Sequence, residues 1–128
     1  MTNELVPLSP KLELVGLAAN EAASAFSFDD YARRKSKNTV RNQIVDLASF
    51  AEYLTAIGIT TTAEALQTTA VAWQGVSWGV VAGFVQWALR GSFATGTISR
   101  RLSTIKVYAA MAMQAGAIPP EEYTKMQT

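Results

Sequence analysis

Apolar residues recur with a helical period along most of the chain, and capping residues and glycines mark where helices begin and end. The clearest stripe spans about residues 39–57 and is followed by Gly58, which suits a helix C-cap. Its apolar positions are three or four residues apart: Val40, Ile44, Leu47, Ala51 and Leu54. The pattern predicts a long amphipathic helix, with a capping oxygen from Ser36, Asn38 or Thr39.

The first part of the chain predicts a long helix and then a shorter one. Ser9-Pro10 suits an N-cap and a first helical residue, and the helix is expected over about residues 11–25. Its core face is expected to contain five apolar residues: Leu12, Val15, Ala19, Ala22 and Phe26. Ser27 and Asp30 resemble a capping box, which predicts that a short turn or helix starts there.

Two further long helices are predicted in the second half. Ser77 caps one over about residues 78–90, which ends before Gly91. Its inward residues are expected to be Val81, Phe84, Val85 and Ala88. The other starts at residues 95–97 and ends near Gly116. Its apolar stripe is Ile98, Leu102, Ile105, Ala109, Ala112 and Met113.

The remaining segments predict short elements. The threonines at 60–62 suit the cap of a short helix, while the β-branched run around Val71 leaves a strand open. Residues 121–126 predict a last short helix after Pro119-Pro120. Because nothing reads as alternating strands joined by Asn-Gly or Asp-Gly turns, the expected fold is an all-α bundle of four to five main helices with short connections.

Composition narrows the chemistry. The chain has 128 residues, of which 49% are hydrophobic and 16% charged, so it is too apolar for a disordered chain. It contains no Cys and no His, which excludes disulfides, thiolate or imidazole metal sites and His-dependent nucleophilic catalysis. No cofactor, metal or small-molecule substrate is therefore expected. The longest apolar stretch, 76–89, is too short and too interrupted to span a bilayer, so a cytoplasmic protein without a membrane partner is expected.

The net charge of +1 hides a segregation of charge along the chain. Residues 1–30 carry five acids and one base. Nine of the eleven bases fall in two short windows around helix starts: Arg33, Arg34, Lys35, Lys37 and Arg41, and then Arg90, Arg100, Arg101 and Lys106. A helix N-terminus offers free N–H groups and partial positive charge, so two such starts side by side would form a cationic surface suited to phosphate.

The polar faces of the two long helices support this interpretation. A helical projection puts Ser99, Arg100, Ser103 and Thr104 opposite the core residue Ile98. On the earlier helix, the residues away from the apolar stripe are Arg41, Asn42, Asp46 and Ser49. Hydroxyls beside arginine suit the phosphates and base edges of DNA. The alternatives are a solvated basic face and hydroxyls that only cap helices.

Two motifs resemble the core-binding domain of tyrosine recombinases, the phage integrase and Xer-type family. Residues 36–54 read SKNTVRNQIVDLASFAEYL and are similar to the second helix of that domain. Residues 96–106 read GTISRRLSTIK and are similar to its fourth helix. The sequence AGAIP at 115–119 resembles the exit toward the catalytic domain. The resemblance covers about residues 30–120, and the threonine-rich connection 59–76 is longer than usual.

The resemblance implies a SAM-like bundle that clamps one face of duplex DNA and works with other recombinase protomers on the same site. DNA contacts are then expected at the first motif from Lys35, Lys37, Asn38, Thr39 and Arg41. At the second motif they are expected from Thr97, Ser99, Arg100, Arg101, Ser103 and Lys106. The implied organisation is an N-terminal segment at 1–29, a core-binding bundle at 30–118 and a tail at 119–128.

The family's chemistry requires arginines, a lysine, histidines and a tyrosine nucleophile in a separate catalytic domain. The chain lacks His, so it is expected to be a non-catalytic fragment of a DNA integration or recombination enzyme. A helical protein-interaction module remains an alternative, with a surface made by Trp73, Trp78, Trp87 and the stretch 76–89. A helix-turn-helix regulator is a weaker alternative, because the connection at 91–96 is long for its tight turn.

Overall fold

Six α-helices and no strand are found in residues 10–127, the part of the chain that the computed structural model describes. Four helices are long and two are short: α1 Pro10–Arg34, α2 Lys37–Ala56, α3 Ala63–Thr68, α4 Trp78–Arg90, α5 Thr95–Gln114 and α6 Pro120–Met126. A 3₁₀ turn, Val71–Trp73, follows α3 where the β-branched run had left a strand open. The predicted all-α bundle is confirmed.

Helix starts coincide with the capping residues of the sequence. The side chains of Ser36, Thr62 and Ser77 accept hydrogen bonds from the backbone N–H three residues further on, at 3.0, 3.1 and 3.3 Å. Gly58 and Gly116 follow α2 and α5 with φ of +99° and +85°, a left-handed conformation that glycine adopts without strain. The cap predicted at Ser9 lies outside the described residues.

α1 is one continuous helix, so the prediction of a new start at Ser27 is wrong. No glycine or proline lies between residues 17 and 34, and the side chains that suggested a capping box are compatible with a helix interior. The carboxylates of Asp29 and Asp30 instead pair with Arg33 and Arg34 one turn later. α1 therefore crosses the domain boundary expected at residues 29 and 30 without a break.

The core forms where α2, α4 and α5 meet. Leu47, Phe50 and Leu54 of α2 are fully buried, as are Phe84 of α4 and Ile105 of α5. The predicted apolar faces of these three helices are confirmed, with Val40, Ile44, Val85, Leu102 and Met113 half-buried at their edges. Aromatic rings fill the centre, since the Phe50 ring stacks near that of Trp73 and meets that of Phe84 edge-on at 5.5 Å between centroids.

The predicted core face of α1 is wrong. Leu12, Val15 and Phe26 are 51%, 56% and 64% exposed, and the two alanines of the stripe are exposed as well. α1 joins the core through Phe28 and Tyr31 near its C-terminal end, whose rings contact that of Tyr108. These aromatic contacts fix which turns of α1 meet the bundle, and helical periodicity cannot reveal how much of a helix finds a neighbour.

α2 and α5 pack antiparallel along their length. Three hydrogen-bonded pairs define the register: Gln43 with Tyr108, Asp46 with Thr104, and Ser49 with Arg101. As residue number rises along α2, the number of the partner on α5 falls. The start of each helix therefore lies beside the end of the other.

α6 packs against α4 and α5 and buries Met126. An oxygen of Glu122 accepts a hydrogen bond from the backbone N–H of Trp78 at 3.0 Å, which places a carboxylate at the N-terminus of α4. The predicted short helix after the two prolines is confirmed. Within residues 10–127, no helix is both long enough and apolar enough to cross a membrane.

Candidate nucleic-acid interface

The first group of candidate residues surrounds the start of α2. Lys37, Asn38 and Thr39 occupy its first turn and are exposed. Thr39 belongs to the cap, because its N–H donates to the Ser36 hydroxyl and its own hydroxyl accepts from Ser36 at 2.9 Å. The first turn carries no acidic residue, so nothing there offsets the positive end of the helix dipole.

Three bases of this group line one open groove. Lys35, Lys37 and Arg41 face a space of about 350 Å³ whose remaining wall includes Val40 and Gln67. Lys35 Nζ lies 5.3 Å from the ring centroid of Tyr31, and none of the three bases forms an ion pair with a described residue. The neighbouring Arg33 and Arg34 differ, since aspartates one turn earlier pair with them. Lys35, Lys37 and Arg41 thus form a cluster of uncompensated positive charge, which is called the α2-start cluster below.

The second group lies on the first three turns of α5. Ser99 and Ser103 are exposed, Thr97 is half-buried, and the Ser103 hydroxyl donates to the Ser99 carbonyl at 3.1 Å. Ala94 precedes the helix and supplies no side-chain cap. The first N–H groups of α5 are therefore left without a capping side chain.

Arg100 is engaged with a buried acid. Its Nε and Nη2 both donate to Oδ1 of Asp46, at 3.3 and 3.0 Å, and its side chain is 59% exposed while that of Asp46 is 3% exposed. The hydroxyl of Thr104 donates to Oδ2 of Asp46 at 2.7 Å. The projection that placed Asp46 and Thr104 on polar outer faces is wrong, because both side chains point across the α2–α5 contact and are buried.

Arg101 is packed between helices. Its guanidinium donates to the Ser49 hydroxyl at 2.9 Å and lies 4.7 Å from the ring centroid of Phe93, while its buried Nε has no hydrogen-bond partner among the described residues. A guanidinium over an aromatic face gains cation–π attraction. The contacts give Arg101 a role in holding α2, α5 and the preceding loop together.

Lys106 does not share a face with Arg100. Lys106 is six positions after Arg100, which places the two about 120° apart around an α-helix, and Lys106 is half-buried. Arg100 faces α2, so Lys106 lies on a different side of α5. The structure therefore brings Arg100, Arg101 and the serines together but leaves Lys106 apart.

The two basic helix starts lie at opposite ends of the α2–α5 pair, and not side by side. Arg101 meets Ser49, which is eight residues along α2 from Arg41. At the rise of an α-helix this separation is about 12 Å. The cationic surface expected from the sequence is thus divided into two parts.

Residues 27–116 match the family model for the N-terminal SAM-like domain of phage integrase. The match spans well over half of the chain. The chain belongs to this family. No curated protein and no solved structure matches it.

The match to the SAM-like domain begins inside α1, includes α2 to α5 and ends at Gly116. The resemblance seen in the two motifs is confirmed, and so is the SAM-like character of the bundle. Every candidate DNA-binding residue, from Lys35 to Lys106, lies inside the matched part. The match is to the N-terminal domain of integrases, and their catalytic domain is not found in the chain.

Sequence reasoning missed a neutral hydrogen-bond network inside the SAM-like domain. The amide of Gln43 donates to the hydroxyl of Tyr31 and accepts from that of Tyr108, and Gln67 reaches both Tyr108 and the carbonyl of Val40. Burial raises the pKa of Tyr108, the hydrogen bond from Gln67 lowers it and the nearby Tyr31 raises it further, so the net shift is upward. The network joins α1, α2, α3 and α5 beneath the α2-start cluster. The signal in the sequence for this network was Gln43, a polar residue beside the apolar stripe of α2.

Proposed function

We propose that this SAM-like domain binds duplex DNA through its phosphates and acts as the DNA-binding part of a tyrosine recombinase, without chemistry of its own. The α2-start cluster carries the proposal. Its three bases are exposed, lie around one groove and have no acidic partner among the described residues. For the stability of α2 alone, bases would be better placed at the C-terminal end.

The second contact in this proposal comes from the outer side of the α2–α5 pair. Arg100 binds Asp46, which is five positions along α2 from Arg41, so Arg100 lies about 7.5 Å along the pair from Arg41. This spacing is smaller than the roughly 12 Å width of the B-DNA major groove, so both groups of residues face one groove of a duplex in this proposal. Between them the surface carries Asn42 and Val45, neither of which adds negative charge.

The test replaces Lys37 and Arg41 together by Ala and measures binding to a labelled duplex by fluorescence anisotropy over a range of salt concentrations. Each phosphate that the variant no longer neutralises should reduce the slope of log affinity against log salt by about 0.9. The double variant should therefore bind with a slope smaller by about 1.8 and, at about 0.1 M salt, roughly eightfold more weakly for each such phosphate. Neither side chain is buried, so the fold should be unchanged.

The matched control replaces Lys11 and Lys125 by Ala, which changes the net charge equally but lies outside the proposed surface. It should retain most of the wild-type slope. If the wild type shows no salt-sensitive binding at low ionic strength, or if both double variants show the same reduction in slope, the proposed interface is refuted.

A protein-interaction module is the second candidate, now on a different surface. Trp73 is fully buried, so the three tryptophans cannot form one surface, although Trp78 is 48% exposed. The exposed apolar side chains of α1 favour this candidate: Leu12, Leu14, Val15, Leu17 and Phe26. Concentration-dependent self-association in sedimentation, unchanged by charge reversal at Arg100 and Arg101, would support it over DNA binding.

A further inference from the structure

Asp46 is an acid buried beside a surface that is otherwise basic. Its carboxylate is 3% exposed and is held by three donors, Thr104 on one oxygen and two nitrogens of Arg100 on the other. Removing a carboxylate from water is costly unless hydrogen bonds replace the solvation that it gives up. These donors fix the position of the carboxylate, and the carboxylate in turn fixes Arg100.

The ion pair between Arg100 and Asp46 uses only one edge of the Arg100 guanidinium. Arg100 uses Nε and Nη2, the side edge of its planar group, toward Asp46. Both N–H groups of Nη1 and one of Nη2 have no partner among the described residues, and the side chain is 59% exposed. This end edge is the fork that binds two acceptors at once, such as guanine O6 and N7 or two phosphate oxygens.

We propose that Asp46 is a positioning residue, which holds Arg100 by its side edge so that the end edge presents a preformed two-acceptor fork to DNA. The inference rests on the proposed function. A held guanidinium loses little rotational freedom on binding, because the folded domain has already ordered it. The small exposed neighbours Ser99 and Ser103 leave space for a duplex to approach the fork.

The alternative role for Asp46 predicts the opposite sign. If the acid only offset the charge of Arg100, Asp46→Asn would add one net positive charge and would tighten binding to any duplex. If the acid positions Arg100, the same variant releases the side chain from a charge-assisted contact and binding weakens. The sign of the change separates positioning from neutralisation.

The experiment compares wild type, Asp46→Asn, Arg100→Lys and the double variant on two labelled duplexes of equal length. One duplex contains only A·T pairs and the other is rich in G·C pairs. Lysine keeps the charge but has no fork, so both single variants should bind roughly 5- to 10-fold more weakly, and the double variant should bind no more weakly than either. Weaker binding confined to the G·C duplex identifies guanine as the acceptor, and equal weakening on both identifies phosphate.

All variants are compared at temperatures where circular dichroism gives the wild-type helix content. Wild-type or tighter binding of Asp46→Asn to both duplexes overturns the positioning role, as do additive effects in the double variant. If one of these results is found and the Lys37 and Arg41 double variant still shows a smaller slope of log affinity against log salt, only the positioning role is refuted and the proposed function stands. Absence of salt-sensitive binding by the wild type overturns both proposals together.

Discussion

At the end of the α2–α5 pair where α2 begins, the bases lie outside and the buried polar contacts are neutral. Lys37 and Arg41 stand without ion pairs among the described residues above the hydrogen bonds of Gln43 and Tyr108. At the end where α5 begins, two of the bases contact other residues of the domain. Arg100 binds the buried Asp46, and Arg101 lies between Ser49 and Phe93.

The difference shows that two similar runs of basic residues can serve different purposes. Charge that nothing offsets is available to a partner and contributes little to the fold. Charge that is paired with a buried acid contributes to the fold and is available to a partner only in part. Substitutions at the two ends should therefore separate stability from binding.

The largest expected difference is between Arg100→Ala and Arg41→Ala. Removal of Arg100 leaves a buried carboxylate with Thr104 alone, which should lower the free energy of unfolding by about 1–3 kcal/mol. Removal of Arg41, an exposed residue without an ion pair, should change it by less than about 0.5 kcal/mol. Urea unfolding followed by circular dichroism measures both, and equal effects would remove the distinction between the two ends.

Deprotonation of Tyr108, at the end of the pair where α2 begins, should make the stability of the domain depend on pH in alkaline solution. Its pKa is raised above the ordinary 10.0, chiefly by burial, so the unfolded chain loses this proton first and binds fewer protons than the folded chain as pH rises. Stability should fall above about pH 10, by at most about 1.4 kcal/mol per pH unit for one group. Tyr108→Phe should reduce this loss of stability with rising pH. Part of the loss should remain, because burial also raises the pKa of Tyr53. An unchanged slope in thermal unfolding would contradict the assignment.

The smallest expected effect is a gain in stability from Lys37→Glu. An acid in the first turn of α2 would interact favourably with the helix dipole and should stabilise the domain by about 0.3–1 kcal/mol. The same change should weaken DNA binding, because it reverses one charge of the α2-start cluster. Lys37→Gln should fall between wild type and Lys37→Glu in both measurements. If Lys37→Glu destabilised the domain, Lys37 would be part of the fold and not a free contact.

The bounds of α2, α4 and α5 and the apolar faces of these helices could be predicted from the sequence, because caps and apolar periodicity are local. Ser36, Thr62 and Ser77 begin helices as expected, and the stripes of α2, α4 and α5 are buried. The family could also be predicted, since its two motifs lie within these helices.

The site could be predicted only in part, because a helical projection gives the angle of a side chain but not its neighbour. The projection puts Asp46 and Thr104 on polar faces, where a side chain is solvated unless a second helix covers it. Arg100 and Arg101 read as surface charge for the same reason. The exposed face of α1 is the converse case, an apolar stripe that stays exposed along most of its length within residues 10–127.

The antiparallel register of α2 and α5 fixes the spacing between the two groups of bases. Arg41 and Ser49 are eight positions apart on an uninterrupted helix, and a helix resists stretching, so we expect the interval between the two groups of bases to be the same with and without a ligand. Inserting one residue in this stretch would turn one group by about 100° relative to the other. If the proposed DNA binding holds, the duplex must accommodate the spacing that the α2–α5 pair sets.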